Sequence, residues 1–131
     1  MKKTLFLGAI LVFSLLLTDM IYACSCVVKT PEQYFRDSSI VFAGEFQEAR
    51  SGFDQTIEAV FKVSIFLKGG MKTGNFITVR TARHGPMCGI SSWANERPGA
   101  SWMIYADPIQ EHLRKDALLV TNKCSGTLPI H

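Results

Sequence analysis

The sequence predicts a small, mainly β domain in which five strands close into a Greek-key barrel, with one or two short flanking helices and two disulfides. Apolar residues recur with a period of two through the middle of the chain, which is typical of half-buried strands. Stretches rich in glycine and proline separate these segments and predict tight turns. Four cysteines form an even set that two disulfides would consume. Closure of the sheet removes the edges that short strands would otherwise leave unpaired.

The longest alternating segment runs from Ile57 to Leu67 and predicts a strand that is covered on one face. Its apolar side is Ile57, Ala59, Phe61, Val63, Ile65 and Leu67, and its polar side is Thr56, Glu58, Lys62 and Ser64. Four other strands are predicted at Ile40–Phe46, Phe76–Thr81, Trp102–Ala106 and Leu118–Thr121. Gly44 marks a bulge or bend within the first of these. Five strands in about a hundred residues suit a barrel of the OB type, which periodicity does not distinguish from a two-sheet sandwich.

One helix is predicted before the first strand, from Pro31 to Asp37. Thr30 precedes it as the capping residue, and a glutamine three residues later completes a capping box. Either Tyr34 or Phe35 is expected to pack on the sheet. A second short helix is predicted around Ile109–Lys115.

The amino-terminal residues have the organisation of a secretory signal. Two lysines provide a positive start, an apolar run follows over Leu5–Leu17, and Ala23 is a small residue suited to signal peptidase. The apolar run is too short for a comfortable membrane span. We therefore expect residues 1–23 to be removed, and residues 24–131 to form one domain, secreted to the extracellular space.

Four cysteines are expected to form two disulfides in an oxidising compartment: Cys24, Cys26, Cys88 and Cys124. A bond between the first two would close a strained, very short ring, so each is expected to reach a distant partner. This reasoning leaves two pairings open. A structural zinc site with His84 is the alternative, although the spacing of the cysteines does not match a zinc knuckle.

Composition and motifs exclude several classes of function. No His-Glu-x-x-His helix, phosphate loop or Gly-x-Ser-x-Gly elbow occurs in the sequence, so we expect neither enzymatic activity nor a cofactor. The histidines are interpreted as surface or loop residues: His84, His112 and His131. Trp93 is expected to pack in the core, the alternative being exposure for recognition.

The net charge indicates no particular partner. It is +3 at pH 7 for the whole chain and +2 once the leader is removed. A basic rim would suit nucleic acid, which OB barrels can bind, and its members would be Lys68, Lys72, Arg80 and Arg83. Export and the small net charge argue against this use. We expect a monomer with no nucleic-acid partner.

Several short stretches along the chain share a pattern with one known family. They are Cys24-Ser25-Cys26-Val27, Gln33-Tyr34-Phe35-Arg36-Asp37-Ser38, Ile40-Val41-Phe42-Ala43-Gly44-Glu45-Phe46, Met87-Cys88-Gly89 and Lys123-Cys124-Ser125. Together they resemble the amino-terminal domain of the tissue inhibitors of metalloproteinases. The most specific parts are the Cys-Ser-Cys start and the order of the later cysteines.

The resemblance implies a netrin-like OB barrel with the disulfides Cys24–Cys88 and Cys26–Cys124. In that family the amine and carbonyl of the first cysteine bind the catalytic zinc of the protease, and the next side chain enters the adjacent pocket. It therefore implies a secreted inhibitor of zinc metalloendopeptidases, in which the amine and carbonyl of Cys24 are the metal ligands. The residues implied to contact the protease are Cys24, Ser25, Cys26, Val27, Val28, Pro86, Met87, Cys88 and Gly89.

The chain departs from the family at two positions, and two other functions compete. Arg36 stands where the family has the first cysteine of a third disulfide, and Val28 replaces the usual proline. A netrin-like module that binds an extracellular partner without inhibiting it is one alternative. The other is a lipoprotein, periplasmic or membrane-anchored, because Ile21-Tyr22-Ala23-Cys24 loosely resembles a lipoprotein cleavage box. Lipidation would consume the Cys24 thiol, block its amine and place the chain on a membrane.

Overall fold

A computed structural model describes residues 24–70, 76–109 and 118–131. The predicted leader lies outside these ranges, as do Lys72, His112 and nearly all of the predicted second helix. One α-helix and six strands occur in the described residues: α1 (Pro31–Asp37), β1 (Ile40–Ser51), β2 (Thr56–Lys68), β3 (Phe76–Ala82), β4 (Ser101–Pro108), β5 (Leu118–Val120) and β6 (Leu128–Pro129). Three 3₁₀ helices connect them: η1 (Gly85–Met87), η2 (Ser91–Asn95) and η3 (Lys123–Ser125).

The first five strands close into a barrel. Their order is β1-β2-β3-β5-β4, and β4 pairs back onto β1. Every neighbouring pair is antiparallel except β3 with β5. This confirms the predicted five-stranded OB barrel, since a two-sheet sandwich would lack the closing pair. Strand β6 adds to β4 beside Trp102 and Met103; it was not predicted, because two residues are too few to show alternation.

Aromatic side chains fill the barrel. The ring centroid of Phe61 lies 5.7 Å from that of Phe46 and 5.2 Å from that of Trp93, and Trp93 lies 5.5 Å from Trp102. These rings meet edge to face, the arrangement that aromatic quadrupoles favour. Trp93 is completely buried, so the prediction that it packs in the core is confirmed. Helix η2 thus contributes a core residue even though it is only five residues long.

The alternation predicted for β2 is right in its first half and wrong in its second. Ile65 and Leu67 are exposed, whereas Phe66 packs against the core. The register between β1 and β2 shifts three times: Ser64 and Leu67 of β2 have no counterpart in β1, and Gln47 of β1 has none in β2. Each extra residue turns the following side chain to the other face of the strand. The irregularity predicted at Gly44 is therefore confirmed, with the extra residue on the partner strand.

Glu58 also differs from the prediction, which placed it on a solvated face. It is only 4% exposed. Arg80 on β3 donates a hydrogen bond from Nη2 to Glu58 Oε1 at 2.9 Å, and Arg50 Nε on β1 lies 3.4 Å from Oε2. These cations compensate the carboxylate for its burial on the outer face of the barrel.

Helix α1 packs on the outside of the barrel. Both hydrogen bonds of the predicted capping box form. The ring of Tyr34 lies 6.1 Å from that of Tyr105 on β4, while Phe35 remains partly exposed. Lys68, the last residue of β2, donates hydrogen bonds from Nζ to the carbonyls of Phe35 and Arg36. These contacts position the segment that precedes the helix.

Candidate functional site

Two disulfides fix the start of the described chain to distant loops. Cys24 is bonded to Cys88 and Cys26 to Cys124, with sequence separations of 64 and 98. Both pairings implied by the resemblance are therefore present. Loops of this length reduce the entropy of the unfolded chain by an equivalent of about 4 to 5 kcal/mol each, as an upper estimate. No described cysteine is free, so the sulfurs are not available as thiolate ligands for the alternative zinc site.

The two disulfides lie side by side. Cys124 Sγ is 3.8 Å from Cys24 Sγ and 3.8 Å from Cys88 Sγ. The backbone N–H of Lys123 donates to the Cys88 carbonyl at 2.9 Å. The side chain of Asn122 accepts from the N–H of Cys124 at 2.7 Å. The loops that carry Cys88 and Cys124 are thus joined by the Lys123–Cys88 backbone hydrogen bond as well as through the amino-terminal segment.

We call residues Cys24–Val28 the N-terminal ridge. Cys24 is half-buried, and the four residues that follow it are exposed. Val27 and Val28 leave 79% and 93% of their surface accessible. Single exposed apolar residues are common, but two in succession on a doubly cross-linked segment form a rigid apolar surface.

The second predicted part of the site is the flanking loop, residues Pro86–Gly89. Cys88 joins it directly to the ridge, and the side chain of Met87 is exposed. Gly89 is buried, because the chain passes so close to β3 that a Cβ there would clash with the carbonyl oxygen of Ala82. The structure therefore brings the ridge and the flanking loop together, and Gly89 serves the path of the loop.

A third attachment of the ridge was not predicted. Lys29 Nζ lies 2.8 Å from Asp37 Oδ2, so the residue after the ridge is paired with the last residue of α1. The hydrogen bond from Lys29 lowers the pKa of Asp37, and the positive charges of Lys29, Arg36 and Lys68 lower it further against an opposing effect of desolvation. The sequence held no local signal for this pair, since its members lie eight residues apart on either side of a helix start.

A polar cavity of about 210 Å³ lies between α1, β4 and η3, beside the attachment of the ridge. It is lined by Lys29, Tyr34, Asp37, Ser38, Asp107, Asn122, Cys124 and Ser125. Asp107 Oδ1 already accepts hydrogen bonds from the N–H and hydroxyl of Ser39. This cavity lies beside the support of the ridge, because Cys124, the partner of Cys26, and the Lys29–Asp37 pair are among its walls.

The comparisons with known proteins do not assign a family. Neither a scan against protein-family models nor a search of curated proteins gave a match for this chain. Within residues 24–70, 76–109 and 118–131, no helix is long and apolar enough to cross a bilayer. The two disulfides point to an extracellular or otherwise oxidising compartment. Fold and site together define a class, a disulfide-anchored OB barrel with an exposed apolar ridge.

Proposed function

We propose that this protein is a secreted inhibitor of zinc metalloendopeptidases that binds the catalytic zinc of the protease through Cys24. The observation that carries the proposal is the N-terminal ridge itself. Cys24 and Cys26 are both cross-linked, and exposed Val27 and Val28 follow them. Removal of residues 1–23 would place a free α-amine on a residue whose position is already fixed.

The amine and carbonyl of one residue can form a five-membered chelate with a metal. A catalytic zinc keeps one coordination position open for water or substrate, and such a chelate can displace that water. The nitrogen donor must be neutral. A free α-amine has a pKa of about 7.7 to 8.0, so zinc displaces its proton at modest cost near neutral pH.

Anchoring determines whether this chelate is useful. Chain termini are normally poorly ordered, and ordering one on binding costs free energy. Here the disulfides of Cys24 and Cys26 and the ion pair of Lys29 fix three of six consecutive residues. The ridge is thus ordered before it meets a protease, and less of the interaction energy is lost to ordering.

The rest of the ridge supplies the protein contact. In the proposed complex the small side chain of Ser25 enters the pocket beside the zinc, and Val27, Val28 and Met87 cover apolar surface of the protease. Complete burial of one valine side chain contributes roughly 1.5 to 3 kcal/mol. Val27 and Val28 follow Cys24 along the ridge and Met87 precedes Cys88 in the flanking loop, so the Cys24–Cys88 bond joins the two apolar segments.

The decisive variant adds one alanine before Cys24 in the mature protein. It moves the amine away from the anchored position without removing any contact within the barrel. We expect inhibition of zinc endopeptidases to fall at least a hundredfold, because the amine and carbonyl of the first residue then belong to the added alanine, which no disulfide anchors. The matched control adds one alanine after His131. Equal inhibition by the two extended proteins would contradict the chelation mechanism.

Mass spectrometry of the mature protein tests the lipoprotein alternative. The sulfur that lipidation would modify is the one bonded to Cys88. A lipid on Cys24 and the Cys24–Cys88 disulfide are therefore mutually exclusive. With a free Cys24 amine verified, failure to inhibit any of a panel of zinc endopeptidases would favour a non-inhibitory binding module.

A further inference from the structure

We propose that the barrel carries a second binding site, for a small carboxylate with a short aliphatic chain, where β1 ends and β2 begins. The site goes beyond the proposed inhibition and shares no residue with the N-terminal ridge or its flanking loop. Its centre is a cavity of about 190 Å³. The cavity is lined by Ala49, Arg50, Ser51, Ile57, Arg83 and Ala94.

The lining divides into a cationic side and an apolar side. Two guanidinium groups and the Ser51 hydroxyl supply hydrogen-bond donors, while Ala49, Ile57 and Ala94 supply aliphatic surface. One water takes up about 30 Å³ of liquid, so the cavity holds a molecule of roughly four to six heavy atoms. A carboxylate with an aliphatic chain of two or three carbons fits this volume. Its anionic end would face the guanidinium groups and its chain would face the apolar side.

Arg83 is the principal cation of this site. Within the described ranges it has no carboxylate oxygen within 4.0 Å, the limit that defines the ion pairs of Glu58 and Asp37. Its Nη2 donates to the Ser51 hydroxyl, and its backbone N–H donates to the Gln55 carbonyl at 2.9 Å. The Ser51 hydroxyl thus holds the guanidinium at the cavity, and a planar guanidinium pairs with a carboxylate through two parallel hydrogen bonds.

Arg50 supplies the second cation. Its Nε lies 3.4 Å from Glu58, whereas Arg80 binds the same carboxylate at 2.9 Å. The Arg50 side chain remains 57% exposed. Arg80 makes the shorter of these two contacts with Glu58, and the charge of Arg50 adds to that of Arg83 at the cavity.

The test is an NMR titration of the full mature chain with acetate, propionate, butyrate and sulfate at constant ionic strength. Backbone amides of Ser51, Arg83 and Ala94 should shift and saturate. Each added methylene should tighten binding about fourfold up to butyrate, because it covers the apolar side. Sulfate should bind more weakly than propionate. Linear shifts, or shifts independent of chain length, would overturn the proposal.

Three variants separate the site from general charge effects. Arg83→Gln should weaken propionate binding at least tenfold, whereas Arg97→Gln, which removes another exposed arginine outside the cavity, should leave it unchanged. Ala94→Leu should fill the apolar side and abolish the dependence on chain length. Equal weakening by the two arginine variants, both folded by circular dichroism, would contradict the proposal.

The distances between the cysteine sulfurs carry a second inference. The exchange itself does not depend on the proposed function; only a consequence for protease inhibition would. We infer that reduction of Cys26–Cys124 lets Cys124 capture Cys88 and thereby releases both ridge cysteines. Cys124 Sγ lies 3.8 Å from both sulfurs of the other disulfide. The hydrogen bond from Lys123 to Cys88 keeps the two loops together without the ridge.

One equivalent of an external dithiol supplies all the electrons that this exchange requires. The dithiol gives two electrons to Cys26–Cys124 and leaves two thiols. Cys124 Sγ starts beside the Cys24–Cys88 bond, at equal distances from its two sulfurs. Once freed, the side chain rotates until its sulfur lies along the axis of that bond, and its thiolate attacks Cys88 Sγ. The Cys24–Cys88 bond breaks, its electron pair leaves on the Cys24 sulfur, and that sulfur takes a proton. A Cys88–Cys124 disulfide and thiols at Cys24 and Cys26 result.

Limited reduction with one equivalent of dithiothreitol, alkylation and peptide mapping tests this exchange. We expect alkylated Cys24 and Cys26 together with a Cys88–Cys124 peptide. Alkylated Cys26 and Cys124 with an intact Cys24–Cys88 bond would overturn the inference. Without dithiothreitol, Cys26→Ala, whose Cys124 thiol is free from the start, should already give a Cys88–Cys124 peptide and alkylated Cys24, whereas Cys24–Cys88 should stay intact in the Cys124→Ala control. The map is independent of inhibition, so an exchange that occurs in a protein without inhibitory activity would count against the proposed function alone.

Discussion

At the scale of single residues, the positions of the ridge residues depend on contacts with residues remote in sequence. Cys24 and Cys26 are bonded to cysteines from two loops, and Lys29 is paired with Asp37. The pattern of the sequence identified the cysteines as cross-linked, and the family resemblance implied their partners. Neither the pattern nor the resemblance identified the Lys29–Asp37 ion pair, because a lysine and an aspartate eight residues apart are common in any chain.

The ion pair predicts a pH dependence. Because the pKa of Asp37 is lowered in the folded chain, its pairing contributes stability above the ordinary value of 3.8 and loses it as the pH falls through the lower folded value. An NMR titration of the Asp37 carboxyl should give a midpoint below 3.8. In Lys29→Met the midpoint should rise, because the hydrogen bond and the nearest charge are lost.

The matched control for this titration is Lys62→Met, which removes a lysine that makes no contact with Asp37. The Asp37 midpoint should remain low in that variant. A midpoint that is the same in the Lys29→Met and unsubstituted proteins would show that the pair does not persist in solution.

At the scale of elements, local signals predicted the helix correctly and failed where register matters. Helix α1 begins and ends at the predicted residues because its cap, proline and capping box all act within one turn. The second half of β2 was assigned to the wrong face, since its bulges arise from pairing with β1. A bulge is a property of two strands, and one strand's alternation does not reveal it.

The turn between β1 and β2 gives a prediction about this hairpin. Asp54 and Gln55 have φ angles of 54° and 56°, the left-handed region that costs most residues free energy. Gln55→Gly should therefore raise the free energy of unfolding by about 0.5 to 1 kcal/mol, as measured by urea denaturation. Glu45→Gly, at an ordinary φ within β1, should lower it by a similar amount. A loss of stability in Gln55→Gly would contradict this account of the turn.

At the scale of the whole molecule, stability depends on an aromatic core assembled from distant segments. Trp93 comes from η2, Phe46 and Phe61 from neighbouring strands, and Trp102 from the strand that closes the barrel. The sequence indicated that Trp93 is buried, but only the closed barrel shows that it joins the rings of β2 and β4.

Trp93→Ala should lower the free energy of unfolding by about 3 to 5 kcal/mol, because the cavity it leaves lies among rings that cannot collapse fully. Far-ultraviolet circular dichroism during urea denaturation measures this change. Phe53→Ala, at an exposed hairpin residue, should change stability by less than about 0.5 kcal/mol. Similar losses in the two variants would contradict the assignment of Trp93 to the core.

The sequence by itself determined the mainly β class, five of the six described strands, the helix and the cross-linking of the four cysteines. Each depends on periodicity, turn chemistry or cysteine count, which are properties of short segments. The tertiary structure alone decided the outward turn of Ile65, the burial of Glu58, the Lys29–Asp37 pair and the cavity of Arg50 and Arg83. Those features require residues from different segments to meet, so they are set by the pairing of strands and by the contacts of α1, which short segments do not encode.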